Sequence, residues 1–155
     1  MNSYTVTLSG NDVLEIKGRV VTGWANGKSF EITYPEDMVK GTVFKNGAGV
    51  ACENNEGRKA QATLRVPIGG NDDKWFNELF QEQKENFSNG FVPLTGSFTK
   101  ITSNENGIRT TTRHVLRNGF FQKNVETFTS SDGDVEQAIV VYHFTFLAAD
   151  ERVIQ

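Results

Sequence analysis

The stretch RKAQATLRV (residues 58–66) alternates without a break: Ala60, Ala62, Leu64 and Val66 form one set, and Lys59, Gln61, Thr63 and Arg65 the other. Successive side chains of a strand point to opposite faces. The segment therefore predicts a half-buried β-strand, dry on one side and hydrogen-bonding on the other. Outward from it, turn chemistry recurs. Asn-Gly stands at Asn26-Gly27, Asn46-Gly47, Asn106-Gly107 and Asn118-Gly119, Asp-Gly at Asp132-Gly133, and Asn54-Asn55-Glu56-Gly57 forms a loop of the same kind. These residues accept positive φ at low cost, as two-residue hairpin turns require. A mainly β (α+β) chain with an antiparallel sheet follows.

Three hairpins are expected. A turn at Asn26-Gly27 would put Gly23/Phe30, Val21/Ile32 and Arg19/Tyr34 on a core face. Trp24/Ser29, Thr22/Glu31 and Val20/Thr33 would share the opposite, mixed face, until Pro35 ends the strand for want of an N–H. A second hairpin is expected over 48–67, its outgoing strand built of the small residues Ala48, Gly49, Val50, Ala51 and Cys52. A third, turning at Asn118-Gly119, would join strands over 108–117 and 120–129. It would be polar on both faces away from its turn, and so either an edge or a ribbon stabilised by a neighbouring chain. Further strands are predicted over 92–101 and 136–147. In the latter Ala138, Val140, Tyr142, Phe144 and Phe146 form an inner face, and the tail ADERVIQ is expected to be loosely held.

One helix is predicted in NDDKWFNELFQEQKENF (71–87), with Asn71 as N-cap and Asp72 and Asp73 in the first turn, where the helix dipole favours anions. Trp75, Phe76, Leu79 and Phe80 make its apolar stripe, and Gln81, Glu82, Lys84 and Glu85 lie away from it.

The 155 residues suit a single domain, 1–155, and 12 Phe supply core volume where the hydrophobic fraction is only 37%. A net charge of −3 argues against a protein built to grip nucleic acid, though not against one that lets it pass. The lone Cys52 permits no intramolecular disulfide and no thiolate metal cluster, and reads as a small buried hydrophobe. MNSYTVTLSG at the start has neither a basic nor an apolar signal region, and no run of residues is apolar and long enough to span a membrane. The expectation is a chain made and kept in a cytoplasm, with no direct membrane binding.

Catalytic chemistry finds little footing. Gly69-Gly70 lacks the pattern of a phosphate loop, and His114 and His143 lack a metal spacing and read as structural or surface residues. Asp72-Asp73 reads as helix-start electrostatics and Glu31 as solvated. No nucleophile stands with a base, so the expectation is no enzyme, no cofactor and no metal site. More telling is YPEDMVKGTVFKNGAGV (34–50). Met38, Val39, Val43, Phe44 and Val50 are too apolar for a solvated loop, while Gly41, Asn46-Gly47 and Gly49 break any long helix. It is either a short element folded over the chain's own core or an arm laid on a neighbouring subunit.

The order of these features is similar to that of the tail-tube proteins of contractile-tailed bacteriophages, and more distantly to tube proteins of type VI secretion and of phage-tail-like bacteriocins. The resemblance spans about residues 13–147. Its pieces are GWANGKSFEI (23–32), Pro35-Glu36-Asp37 with the long loop after it, RKAQATLRV (58–66), and NDD leading into the helix. FVPL (91–94) and NGFF (118–121) complete it. The resemblance implies an antiparallel β-sandwich or half-open barrel with one amphipathic helix packed outside. It implies hexameric rings stacked into a tube that conducts DNA inside a contractile sheath, in contact with sheath, tape-measure and baseplate proteins. Within it, the loop at about 35–50 is the candidate subunit interface through Glu36, Asp37, Met38, Val39, Val43, Phe44 and Lys45. Ser29, Glu31, Thr33, Lys59, Gln61, Thr63, Arg65, Arg113 and Lys123 are the candidate lumen or inter-subunit strand residues. Localisation would be the virion, after the host cytoplasm. The alternative from another class is a small-ligand-binding β-barrel whose pocket is lined by Phe30, Ile32, Tyr34, Tyr142, Phe144 and Phe146.

Overall fold

The β-branched and aromatic run IVVYHFTFLAADERVI builds the strand around which the sheet is organised. The computed structural model describes residues 6–8, 12–21, 30–104, 106–128 and 138–154. In chain order the strands are β1 (Val6–Leu8), β2 (Val13–Ile16), β3 (Arg19–Val20), β4 (Phe30–Thr33), β5 (Val39–Val43) and β6 (Gly49–Glu53). A 3-10 turn at Asn55–Arg58 precedes β7 (Ala60–Pro67) and helix α1 (Asn71–Asn86). Then follow β8 (Leu94–Asn104), β9 (Arg109–Phe121), β10 (Glu126–Phe128) and β11 (Ile139–Ile154). Among the described residues nine strands form one antiparallel sheet, ordered β3-β2-β8-β9-β11-β7-β4, with β1 on β8 and β10 on β11. Among the described residues strands β5 and β6 pair with each other and with no other strand.

The dry faces of β7 and β11 are as the alternation predicts. Ala60, Ala62, Leu64, Val66, Val140, Tyr142, Phe144 and Phe146 are all buried. The sheet curls over this face. In a flat sheet β4 would lie about 19 Å from β8, at about 4.8 Å per strand. Yet the Phe30 ring of β4 sits 4.7 Å from the Phe98 ring of β8. The curl stops short of closure, because the two edges, β3 and β4, pair with β2 and β7 and not with each other.

Helix α1 rests on the same dry face. Phe76 packs on Tyr142 and Phe144, and Phe80 edge-on against Phe121. The expected stripe thus packs on the sheet and forms one wall of the core, with Phe76, Leu79 and Phe80 buried and Trp75 half-buried. Polar groups lock the helix in place. Arg19 donates to Asp72 at 2.9 Å and its guanidinium lies 5.5 Å from the Trp75 ring. Tyr142 donates to Asp73 Oδ1 at 2.6 Å. The Gln83 side chain donates to the Phe121 carbonyl at 3.0 Å and accepts from the Phe121 N–H at 2.7 Å. Asn71 is the first helical residue and not the cap. Gly70 holds the cap position with no side-chain bond, and Asp73 instead reaches back to accept from the Gly69 N–H at 2.8 Å.

Several pairings differ from the sequence reading. The register Val21/Ile32 and Arg19/Tyr34 does not occur: Arg19 pairs with Ile16 in β2, and Ile32 with Ala62 in β7. The turn at Asn26-Gly27, and the one at Asp132-Gly133, lie outside the described residues. Asn118-Gly119 is no hairpin turn. Strand β9 runs straight through it, with Asn118 at φ 53 and a register shift against β8 between Leu94 and Gly96. Positive φ serves a bulge here, the other use of the same chemistry. Strand β6 pairs with β5 instead of β7, so the hairpin expected over 48–67 does not form. The tail is no loose end either: residues up to Ile154 continue β11 along β9, as far as Ile154 opposite Thr111.

Candidate functional site

The segment that follows Pro35 is an arm. Residues 39–53 form a hairpin whose turn is closed by the Phe44 N–H donating to the Ala48 carbonyl at 2.8 Å and the Ala48 N–H donating to Asn46 Oδ1 at 3.0 Å. It does not fold over the chain's own core. Met38 is 74% exposed, Val43 78% and Phe44 51%, and Val39, Val50, Glu36, Asp37 and Lys45 are exposed as well. Cys52, expected to be buried, is exposed on this hairpin.

The base of the arm is held firmly. The Asn54 N–H donates to the Met38 carbonyl at 2.8 Å, and Asn54 Nδ2 donates to the Asp37 carbonyl at 2.6 Å. The 3-10 turn then presses Gly57 against the arm so closely that a Cβ there would lie 2.7 Å from Met38 Cα. On the other flank the ring of Tyr34 stacks on His114, with the Tyr34 hydroxyl 2.9 Å from His114 Nδ1. Burial, then the charges of Glu151 and Asp150, push the Tyr34 hydroxyl up to about 12. Burial lowers His114 below the ordinary imidazole value, with Glu151 opposing. A neutral imidazole beside a protonated phenol is the arrangement that this hydrogen bond needs.

The wet face of the sheet gathers much of the second predicted set. Glu31 stands opposite Thr63 and Thr33 opposite Gln61, and Arg65 donates to Glu31 at 3.2 Å. Lys59 leads into β7 in the same phase. The neighbouring strand adds His143 and Thr145, which sequence reasoning did not count as part of this face, although their phase opposite Tyr142 and Phe144 carries the signal. Thr63 Oγ1 lies 3.5 Å from His143 Nδ1. His143 Nε2 is 3.3 Å from Glu126 Oε1 but off the line of a hydrogen bond, and it is shut from solvent, as is Thr145 Oγ1. Lys123 reaches Glu126 at 4.0 Å. Arg113 does not belong to this group: it lies on β9 between Thr99 and Arg152. Ser29 lies outside the described residues.

This face offers hydroxyls and compensated charges, with ion pairs that contribute about 0–1 kcal/mol each at such exposure. Among the described residues no group of three or more His, Cys, Asp or Glu is placed to hold a metal ion. The aromatic face considered as a ligand pocket is filled: Tyr142, Phe144 and Phe146 are at most 1% exposed, against Phe76 and Phe121. An open cleft of about 470 Å³ lies between α1 and residues 124–127, and of the predicted pocket residues Tyr142 lines it, beside Asp73. Among the described residues no helix is long and apolar enough to cross a membrane. No protein-family model matches the chain, and no curated protein matches it in sequence.

Proposed function

We propose that the chain is a structural subunit of a tail tube, the hollow conduit within a contractile sheath, as the sequence resemblance implies. The observation that carries this reading is the β5–β6 arm. A two-stranded hairpin standing alone is marginal in water. This one is anchored at its base, carries an apolar face through Val39, Val43 and Ala51, and is uncovered by its own chain. Such an element is completed by a neighbour.

In this reading six copies form a ring, and rings stack by a contact that repeats without closing, which is how a filament grows. The curled sheet acts as a half-open barrel, and strands of adjacent copies complete it and cover the exposed edges. The wet face of Glu31, Thr33, Gln61, Thr63 and Arg65 looks onto the lumen or onto a neighbour's strand. Compensated charge there suits weak contact with passing DNA, since phosphate affinity grows with the number of free cations supplied. Sheath, tape-measure and baseplate proteins are the partners, and no cofactor takes part. A tube of a secretion or bacteriocin particle would use the same construction.

The test is negative-stain microscopy and sedimentation velocity of the concentrated chain, alone and with sheath or baseplate proteins. Expected are rings or tubes about 80–100 Å wide, from six domains of about 30 Å around a pore. Monomers under every condition, with no co-assembly, would overturn the proposal.

A further inference from the structure

A second exposed surface complements the arm. Arg109, Arg113 and Arg117 are all exposed on the outer face of β9. At about 3.3 Å per residue they stand about 13 Å apart in a row. Arg113 faces Arg152 directly across the β9–β11 ladder, an arrangement of like charges that weakens a strand pair. Arg152 is neutralised by Asp150 at 3.2 Å, but among the described residues no carboxylate pairs with Arg109, Arg113 or Arg117. Beside them lie Val13, in the Thr99–Arg113 row, and Val115, in the next row, which also carries Glu15 and Asp150.

The base of the arm carries the opposite charge, with Lys40 on the other face of the hairpin and Lys45 in its turn. Glu36 and Asp37 stand at its entrance, exposed and without an ion pair among the described residues, and Glu53 at its exit has only an exposed contact to Arg58 at 3.4 Å. One face of the hairpin carries Val39 and Val43 flanking Gly41, Gly49 and Ala51. A Cβ at Gly41 or Gly49 would meet only a cross-strand carbonyl, at 3.6 and 3.7 Å. That face is flat, so another sheet can approach closely.

Resting on the reading of the arm as a contact between copies, we infer that the arm of one copy docks on the outer face of β8, β9 and β11 of a second copy. The acids at its base meet the Arg113 row, and the glycine-lined face covers Val13 and Val115. The occupant is a second copy because this chain presents both halves, uncompensated acid on one element and uncompensated arginine on another. The two surfaces differ, so each copy uses its arm toward one neighbour and its arginine row toward another. The contact is heterologous and self-propagating.

Two full-length variants test it: Glu36→Lys with Asp37→Lys, and Arg113→Glu with Arg117→Glu. All four sites are exposed, so circular dichroism should match the parent chain and melting should be no lower, with Arg113→Glu relieving the like-charge pair with Arg152. By sedimentation velocity each variant alone should self-associate at least ~10-fold more weakly, an effect of a few surface charge pairs turned repulsive. An equimolar mixture should recover association, because each reversed surface then finds its complement on the other variant. If both variants associate like the parent while Val43→Asp does not, the arginine row is not the docking surface and the arm still is a contact. If the mixture stays as weak as its components, the pairing of these two surfaces is refuted. A parent chain that never associates would overturn this inference and the tube reading together.

Discussion

Placing a carboxylate at the tip of the arm separates folding from assembly. Val43 is 78% exposed and lies in a hairpin whose strands, among the described residues, pair only with each other. In the free chain Val43→Asp therefore removes little burial, and the cost should stay within about 0.5 kcal/mol, as for surface substitutions generally. In the proposed assembly the accounting changes. Burying a valine side chain contributes roughly 1.5–3 kcal/mol, of which the exposed four-fifths is still to be gained, about 1–2 kcal/mol. Taking an aspartate into the same contact adds at least about 1–3 kcal/mol of polar desolvation. The sum, about 3 kcal/mol per contact, corresponds to ~100-fold weaker association. Val43→Ala should show only the loss of methyl groups, about 1 kcal/mol or ~5-fold. The assay is near-ultraviolet circular dichroism and a thermal melt for the fold, with sedimentation velocity and negative stain for assembly. An unchanged melt with assembly shifted ~100-fold supports the reasoning. A melt that collapses would place the arm in the chain's own core, and assembly at parental concentrations would show that the arm tip contacts nothing.

Gln83→Ala should unpair both backbone groups of Phe121 where β9 ends, costing about 1–3 kcal/mol. Hydrogen exchange at the Phe121 amide should accelerate more than at core positions of β7. Gly96→Ala would drive a Cβ into the Glu15 carbonyl, so β2 and β8 must separate. A loss of about 1–3 kcal/mol is expected as a melting temperature lower by roughly 2–12 °C. For His114 the folded state disfavours the proton relative to the unfolded chain, whose value is 6.5, so the unfolded state binds more protons as pH falls through that value. Stability should decline on acidification below about pH 6.5, and urea titrations at descending pH should show less of that decline in His114→Gln. The Tyr34 hydroxyl carries the opposite sign. Its contribution is complete below pH 10.0 and is lost as pH rises toward about 12, a loss that Tyr34→Phe should remove.

The strands that could be read from sequence are those whose two sides differ chemically. In β7 aliphatic and polar residues alternate without exception, and Ala60, Ala62, Leu64 and Val66 are buried while Gln61, Thr63 and Arg65 are not. The helix was legible for the same reason, since Phe76, Leu79 and Phe80 fall on one side. Asn118-Gly119 was misread because a residue that tolerates positive φ serves a turn and a bulge equally, and only the pairing of Phe120 with Thr145 and Arg117 with Ala148 decides between them. The end of β11 was missed because Asp150, Glu151 and Arg152 cover no core and owe their extended form to β9. Of the candidate site, the apolar excess over 38–50 was visible as composition, but its solution as an exposed hairpin was not. The common face of Arg109, Arg113 and Arg117 follows from their spacing of four in the strand expected over 108–117; not legible was that this strand lies along β11, with Arg113 opposite Arg152.

The stiffness of the arm bears on why it is built this way. A flexible apolar loop could also cover a neighbour, but it would lose backbone freedom on docking, about 1–2 kcal/mol for each residue fixed. Over a hairpin of two five-residue strands that loss would exceed what its exposed apolar side chains could return. The arm avoids it by being ordered beforehand, through the Asn54 bonds to Asp37 and Met38, the close seat of Gly57, and the Tyr34–His114 stack. Preorganisation of this kind turns a modest buried area into useful affinity. It also ties the direction of the arm to the sheet, since Tyr34 follows β4 directly and His114 belongs to β9, the strand that carries the arginine row. In the proposed contact, donor and acceptor surfaces would thereby be held in a fixed relation within each copy. A contact that repeats from copy to copy can then keep one rotation and one rise, as a regular tube demands and as a loosely tethered loop could not supply.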